Sequence, residues 1–166
     1  MSKKDFLIGR IDGDCGVVAL ANIKRLLGSR SSTDNLYKQI KKANEWTNED
    51  LEAGLYNLDI FNAIFRDKRL RKYYQGSINS PTEKGFLEEE LPKIFIGALV
   101  RNSHFIAGYM DKKGRIHILN IDGDVKDTEV SRRRLKYIFK SRGKEKEKGR
   151  EKPRIWWFRS LNSSVW

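Results

Sequence analysis

Four residues in this chain could carry out nucleophilic chemistry together: Cys15, His104, Asn120 and Asp122. Cys15 is the one cysteine in 166 residues. It stands in Asp12-Gly13-Asp14-Cys15-Gly16 at the expected first turn of an apolar helix, with Asp14 as the expected N-cap. A thiol there feels the partial positive charge of unsatisfied N–H groups, which favours thiolate over thiol. Taken alone, a lone cysteine is more often a small buried residue than a nucleophile. A histidine that accepts the thiol proton, and an amide or carboxylate that orients the imidazole, would complete a nucleophile, base and orienter set.

The elements that must hold these residues follow from periodicity. Val17, Val18, Leu20, Ala21, Ile23, Leu26 and Leu27 form a broad 3.6-period stripe with Gly28 just past its end. Phe6-Leu7-Ile8 is a short apolar entry segment before it. A second amphipathic helix carries Leu36, Tyr37, Ile40 and Ala43, and a helical period continues from Leu51 to about Tyr74 with a break near Gly54. The stretch 76–82 reads as a loop, and Phe86 to Leu91 as a short helix stopped by Pro92. After that the period changes. Ile94 to Val100, His104 to Met110, Arg115 to Ile121 and Ile155 to Phe158 read as strands, and Thr128 to Ser141 as a helix. This makes an α+β chain expected to form a single domain over 1–166, with a helical part at about 12–91 and a sheet part at about 92–166.

The hairpin between the second and third strands allows its register to be derived. Asp111-Lys112-Lys113-Gly114 fits a type I turn followed by a left-handed glycine, which pairs Asp111 with Arg115. Counting back places Ile106 opposite Asn120 and His104 opposite Asp122. All four would share a face, clustering His104, Asn120 and Asp122 at the open end of the hairpin. His117, mid-strand beside Ile116 and Ile118, suggests no catalytic role.

Composition narrows the surroundings. A chain of this length supports one proper core, and a single cysteine allows no internal disulfide, which suits a reducing, cytoplasmic setting. No apolar run approaches membrane-spanning length, no metal-ligand spacing or cofactor motif is present, and the sequence sets no oligomeric state. The 34 Lys+Arg against 22 Asp+Glu give a net charge of +12, much of it in residues 132–154. The 140–154 segment is expected to be a solvated basic loop able to contact a polyanion or an acidic protein.

The Cys helix, the further helices, and the strand opening His104-Phe105-Ile106-Ala107 followed by a partner strand ending at Asn120 or Asp122 resemble papain-like cysteine peptidases. Asp14-Cys15-Gly16-Val17-Val18-Ala19-Leu20-Ala21 is similar to the cysteine motif of the bacteriocin-processing group that cuts after a double glycine. Leu91 to Leu99 followed by His104 to Ala107 looks like that group's strand leading to its histidine. A weaker likeness is to ovarian-tumour-type and Josephin deubiquitinases. The resemblance implies a papain-like fold, with the nucleophile helix packed on a C-terminal antiparallel sheet. It also implies a thiol hydrolase of peptide or isopeptide bonds in which Cys15 attacks, His104 shuttles the proton and Asn120 or Asp122 orients it. Asn120 is favoured as the third member by its spacing from His104. The Cys15 N–H would supply the oxyanion hole. One departure is Gly9, where the pattern has a glutamine donor; Arg10 is the candidate substitute. Losing one such donor costs about 10²–10³ in turnover. That departure leaves an inactive binding module that uses the basic segment as the alternative, and acyl transfer by the same triad is a third possibility.

Overall fold

The computed structural model describes residues 6–78, 93–99, 104–111, 113–120, 127–142 and 153–159. Five helices come first: α1 (Cys15–Leu26), α2 (Thr33–Ala43), α3 (Asn48–Ala53), α4 (Asn57–Arg66) and α5 (Lys68–Tyr73). Strands β1 (Tyr74–Ile78), β2 (Lys93–Leu99), β3 (His104–Met110), β4 (Ile116–Leu119) and β5 (Asp127–Val130) follow, then α6 (Arg132–Arg142) and β6 (Arg154–Arg159). The strands make one six-stranded antiparallel sheet in the order β1-β6-β2-β3-β4-β5.

Helix α1 is buried on nearly every side from Gly16 to Ile23, as its continuous apolar content demands. It lies on the sheet over β2 and β3, in a core shared with Ile94, Ile96 and Ala98 of β2, Phe105 and Ala107 of β3, and Trp156 and Phe158 of β6. Alternate residues of the same strands, Phe95, Ile106 and Ile155, face the opposite way and join Leu135, Ile138 and Phe139 of α6 in a second core. The sheet is therefore covered on both faces, with α1 in the larger core. The end of α1 is set by Gly28, whose φ of 83° suits a residue without Cβ. Its N–H donates to Arg25 O at 3.0 Å, and the N–H of Ser29 to Lys24 O at 3.0 Å, a Schellman closure that satisfies two terminal carbonyls.

Three sequence-based boundaries change. The helical period at 51–74 is divided into α3, α4 and α5. Gly54 (φ 93°) interrupts it first, and Asp67 then restarts it, its Oδ1 accepting from Arg69 N at 2.9 Å and Leu70 N at 3.0 Å. Tyr74–Ile78, read as the end of a helix and a loop, is the edge strand β1; its Gly and Ser concealed it, because pairing with β6 rather than strand propensity holds it in place. Asp127–Val130 likewise belongs to β5, and the helix begins only after Ser131, whose hydroxyl accepts from Arg134 N at 3.0 Å. The expected helix at 86–91 and most of the basic loop, 143–152, lie outside the described residues. Among the described residues no helix is long and apolar enough to cross a membrane.

Candidate functional site

The extended segment before α1 is held by side chains rather than by a strand ladder. Asn22, buried within α1, accepts from Leu7 N at 2.8 Å and donates to Leu7 O at 3.2 Å. Asn120 Oδ1 accepts from Gly9 N at 3.0 Å. Asp14 Oδ2 accepts from Arg10 N at 2.9 Å, Ile11 N at 3.3 Å and the Tyr37 hydroxyl at 2.8 Å. Asp14 precedes α1 as expected but gives the helix no side-chain cap. Its buried carboxylate turns back to the incoming loop, so the loop and the start of the helix form one unit. Burial and the Asp14 carboxylate raise the Tyr37 hydroxyl well above its ordinary value, with Arg10 opposing, so it remains a donor. Gly13 lets the loop pass against α3: its φ is 82°, and a Cβ there would fall 1.8 Å from Leu51 O.

This unit, the 51–55 stretch, the start of β3 and the residue after β4 line a cleft of about 430 Å³, with Cys15, His104, Asn120 and Gly9 among its lining residues. Cys15 is half-buried at the first position of α1. The N–H of Phe105 points at its sulfur at 3.4 Å. Burial is the largest influence on the thiol and pushes its pKa up; the N–H groups of Phe105, Gly16 and Cys15 itself pull it down, and the neighbouring Asp14 carboxylate pushes it up again. The net direction is upward, opposite to the thiolate-favouring environment expected from the helix terminus alone. Desolvation and Asp14 outweigh the local N–H dipoles.

His104 opens β3. Its Nε2 lies 3.2 Å from the main-chain carbonyl oxygen of Asn120. A carbonyl only accepts, so Nε2 carries a proton there. The hairpin register is the expected one: Met110 pairs with Ile116 and Ala107 with Leu119, and Gly114 has a φ of 77°. The meeting of His104 and Asn120 does not come from sharing a sheet face, however. Ile106 and Ile118, on the face assigned to them by alternation, belong to the core beneath α6. β4 ends at Leu119, and Asn120 leaves the ladder with a φ of 58°. That left-handed conformation, tolerated by asparagine better than by most residues, is what brings its carbonyl to His104 and its side chain to Gly9.

Arg10, expected as a substitute oxyanion donor, does not line the cleft. Its guanidinium pairs with Asp34 and stands over the Tyr37 ring at 4.9 Å from the centroid. Asp122 lies outside the described residues. Gly9 leaves little room for the missing glutamine, since a Cβ there would stand 3.2 Å from Asp14 Oδ1. Sequence reasoning missed Tyr37, Asn22 and the Phe105 N–H. Tyr37 looked like one residue of an apolar stripe, Asn22 was not singled out among the apolar residues of α1, and a main-chain donor carries no residue signature. Among the described residues no cluster of His, Cys, Asp or Glu is arranged to hold a metal ion.

The sequence matches no family model and no curated protein. The fold is similar to the crystal structure of the peptidase domain of Streptococcus ComA, a bi-functional ABC transporter involved in a quorum sensing pathway. That likeness has a TM-score of 0.56 at 19% identity and spans 93% of this chain and 98% of the other. It shows that the two share a fold, which in this chain is an α+β arrangement with the cysteine-bearing helix against an antiparallel sheet.

Proposed function

We propose that the protein is a cysteine peptidase whose reaction runs through Cys15 and His104 in this cleft. The observation that carries the reading is that His104, whose Nε2 meets the Asn120 carbonyl at 3.2 Å, and Cys15 at the start of α1 line the same cleft. In this reading Nε2 donates to that carbonyl and Nδ1 serves as the base. The presence of the same architecture in a domain described as a peptidase supports it.

Burial of Cys15, which pushes its thiol pKa up, favours a neutral resting thiol in this reading. Cys15 rests as the neutral thiol and gives its proton to His104 Nδ1 as its sulfur attacks the scissile carbonyl carbon, so general-base assistance replaces a preformed ion pair. The Cys15 N–H stabilises the oxyanion. The protonated imidazole then gives its proton to the departing amine, leaving a thioester on Cys15. A water deprotonated by the same imidazole hydrolyses that thioester and returns the free thiol. Asn120 is a positioning residue in this scheme and works through its carbonyl.

The test is mass-spectrometric detection of cleavage in a peptide set that includes Gly-Gly sites, with Cys15→Ala and His104→Ala beside the wild-type protein. Loss of cleavage in both variants, with their melting temperatures retained, is the expected result. Cleavage by Cys15→Ala at the wild-type rate overturns the assignment. An inactive wild-type protein would favour the binding-module reading, for which the absence of a glutamine at Gly9 is the specific observation.

A further inference from the structure

A second cavity, of about 400 Å³, is lined by Lys24, Asp67, Lys68, Arg69, Lys72 and Tyr73. It shares no described lining residue with the cleft around Cys15, and Lys24 belongs to the last turn of α1 where Cys15 opens its first. Four cations line it with one carboxylate, and that carboxylate is already engaged. Asp67 Oδ2 takes Lys24 Nζ at 2.5 Å in a largely buried pair, while its Oδ1 accepts from Arg69 N and Leu70 N. The Arg69 guanidinium donates to Leu27 O at 2.8 Å, which fixes it against the end of α1. Lys68 and Lys72 are exposed, and neither meets a carboxylate among the described residues. Their i, i+4 spacing puts both on one face of α5, where like charges repel.

Tyr73 is an independent sign that the cavity takes a ligand. It is 8% exposed, with Lys72 Nζ and the Arg159 guanidinium over its ring at 5.4 and 5.2 Å from the centroid. Its hydroxyl has no hydrogen-bond partner among the described residues, yet it is not one of the side-chain atoms sealed from solvent without a partner. A tyrosine more than nine-tenths buried therefore keeps its polar end open, and the cavity is the space it lines. Buried tyrosine hydroxyls ordinarily find a partner within the protein; an acceptor that enters this cavity completes the bond.

We infer that the cavity between α5 and the end of α1 is a binding site for a small phosphate-bearing ligand, with Lys68 and Lys72 supplying charge and the Tyr73 hydroxyl a directed hydrogen bond. A phosphate group carries close to two negative charges and several acceptor oxygens, and lysine binds it as a point charge. A monovalent carboxylate would leave most of the excess positive charge unbalanced. A concave wall of one sign also concentrates ligands of the opposite sign. The site stands apart from the peptidase reading and does not depend on it.

The experiment is calorimetric titration of the whole chain at low salt with inorganic phosphate, pyrophosphate and AMP, with acetate as the monovalent comparison. Pyrophosphate is expected to bind with a Kd below about 1 mM and acetate not to bind. Lys68→Gln/Lys72→Gln should weaken pyrophosphate at least about tenfold, and Tyr73→Phe about tenfold at unchanged melting temperature, because the hydroxyl holds nothing within the protein. Arg133→Gln/Arg134→Gln, on the basic helix α6, should bind as wild type does. Tighter binding of AMP than of phosphate identifies a phosphate ester as the ligand, and the reverse an inorganic phosphate; both support the site. Absence of binding by all three phosphates overturns the inference. So does binding that Lys68→Gln/Lys72→Gln or Tyr73→Phe leaves at wild-type strength, which would place the anion elsewhere on this basic chain.

Discussion

His104 Nε2 faces the main-chain oxygen of Asn120 at 3.2 Å, while the side-chain oxygen of the same asparagine faces Gly9 N at 3.0 Å. Asn120 therefore joins the imidazole to the entry segment through two different groups, and only the second depends on its side chain.

Substitution separates the two groups. Asn120→Ala keeps the carbonyl but loses the acceptor for Gly9 N and puts a less tolerant residue at φ 58°. The expected cost is about 1–3 kcal/mol in stability and about tenfold in kcat/KM. Asn120→Asp keeps an acceptor oxygen and should stay within a few-fold of wild type. Calorimetry with steady-state kinetics on both variants checks this. A loss near 10³ in kcat for Asn120→Ala at unchanged melting temperature would show instead that the side chain orients the imidazole.

Cys15 should be sluggish towards alkylation in the resting protein. Its folded-state pKa is raised, chiefly by burial, so the thiol keeps its proton to higher pH than a free cysteine, whose ordinary value is about 8.5. The stability that goes with the neutral thiol is present below that ordinary value and is lost as pH rises through the folded one. Rates of iodoacetamide labelling should accordingly climb in the alkaline range with a midpoint above that of free cysteine. A midpoint below pH 7 would show a preformed thiolate and remove the need for general-base assistance.

That reversal marks where sequence reasoning stops. Helix periodicity located α1, and turn chemistry at Asp111 to Gly114 gave the β3–β4 register, because both depend on local backbone preferences carried by a few residues. The thiol's environment depends first on its burial and then on Asp14, whose carboxylate is turned towards Tyr37, 23 residues away. The strands β1 and β5 were invisible for a similar reason: each is held by a neighbouring strand, β6 or β4, rather than by its own propensity. The approach of His104 to Asn120 was expected from face alternation but arises from a left-handed residue at a strand end, which periodicity does not encode.

Tyr37→Phe removes one of the three donors to the buried Asp14 carboxylate. The ring and its packing remain, so the loss is that of a hydrogen bond to a charged group, about 1.5–3 kcal/mol. For a chain of this size that corresponds to a fall in melting temperature of about 3–12 °C. Loosening of the loop from Gly9 to Asp14 should also lower kcat, because the Cys15 N–H is anchored by it. A variant as stable and as active as wild type would show that the two main-chain donors suffice.

The last prediction concerns His117, which sequence reasoning set aside and the structure places in a cluster of its own. Its Nδ1 lies 3.0 Å from Asp127 Oδ1 and its Nε2 3.1 Å from Asp111 Oδ2, and its ring stacks on Tyr109 at 4.5 Å. The Tyr109 hydroxyl donates to Asp127 Oδ2 at 3.2 Å, so the cluster ties β5 to the β3–β4 turn. Burial alone would raise the Asp111 carboxyl. It is outweighed by hydrogen bonds from the Arg115 N–H, the His117 ring, the Lys113 N–H and the Arg115 side chain, and the net pKa is lowered. A carboxyl depressed in the folded state contributes stability above its unfolded value of about 3.9, and that stability is lost as pH falls through the folded value. His117→Phe keeps the stacking surface but removes the ring nitrogens that meet the two carboxylates. It should cost about 2–4 kcal/mol at pH 7, and the difference from wild type should narrow as the pH is taken below 4. Urea unfolding of both proteins from pH 3 to 7 measures this directly. A stability difference that stays constant across that range would mean that His117 contributes packing alone and that its carboxylate contacts carry no net energy.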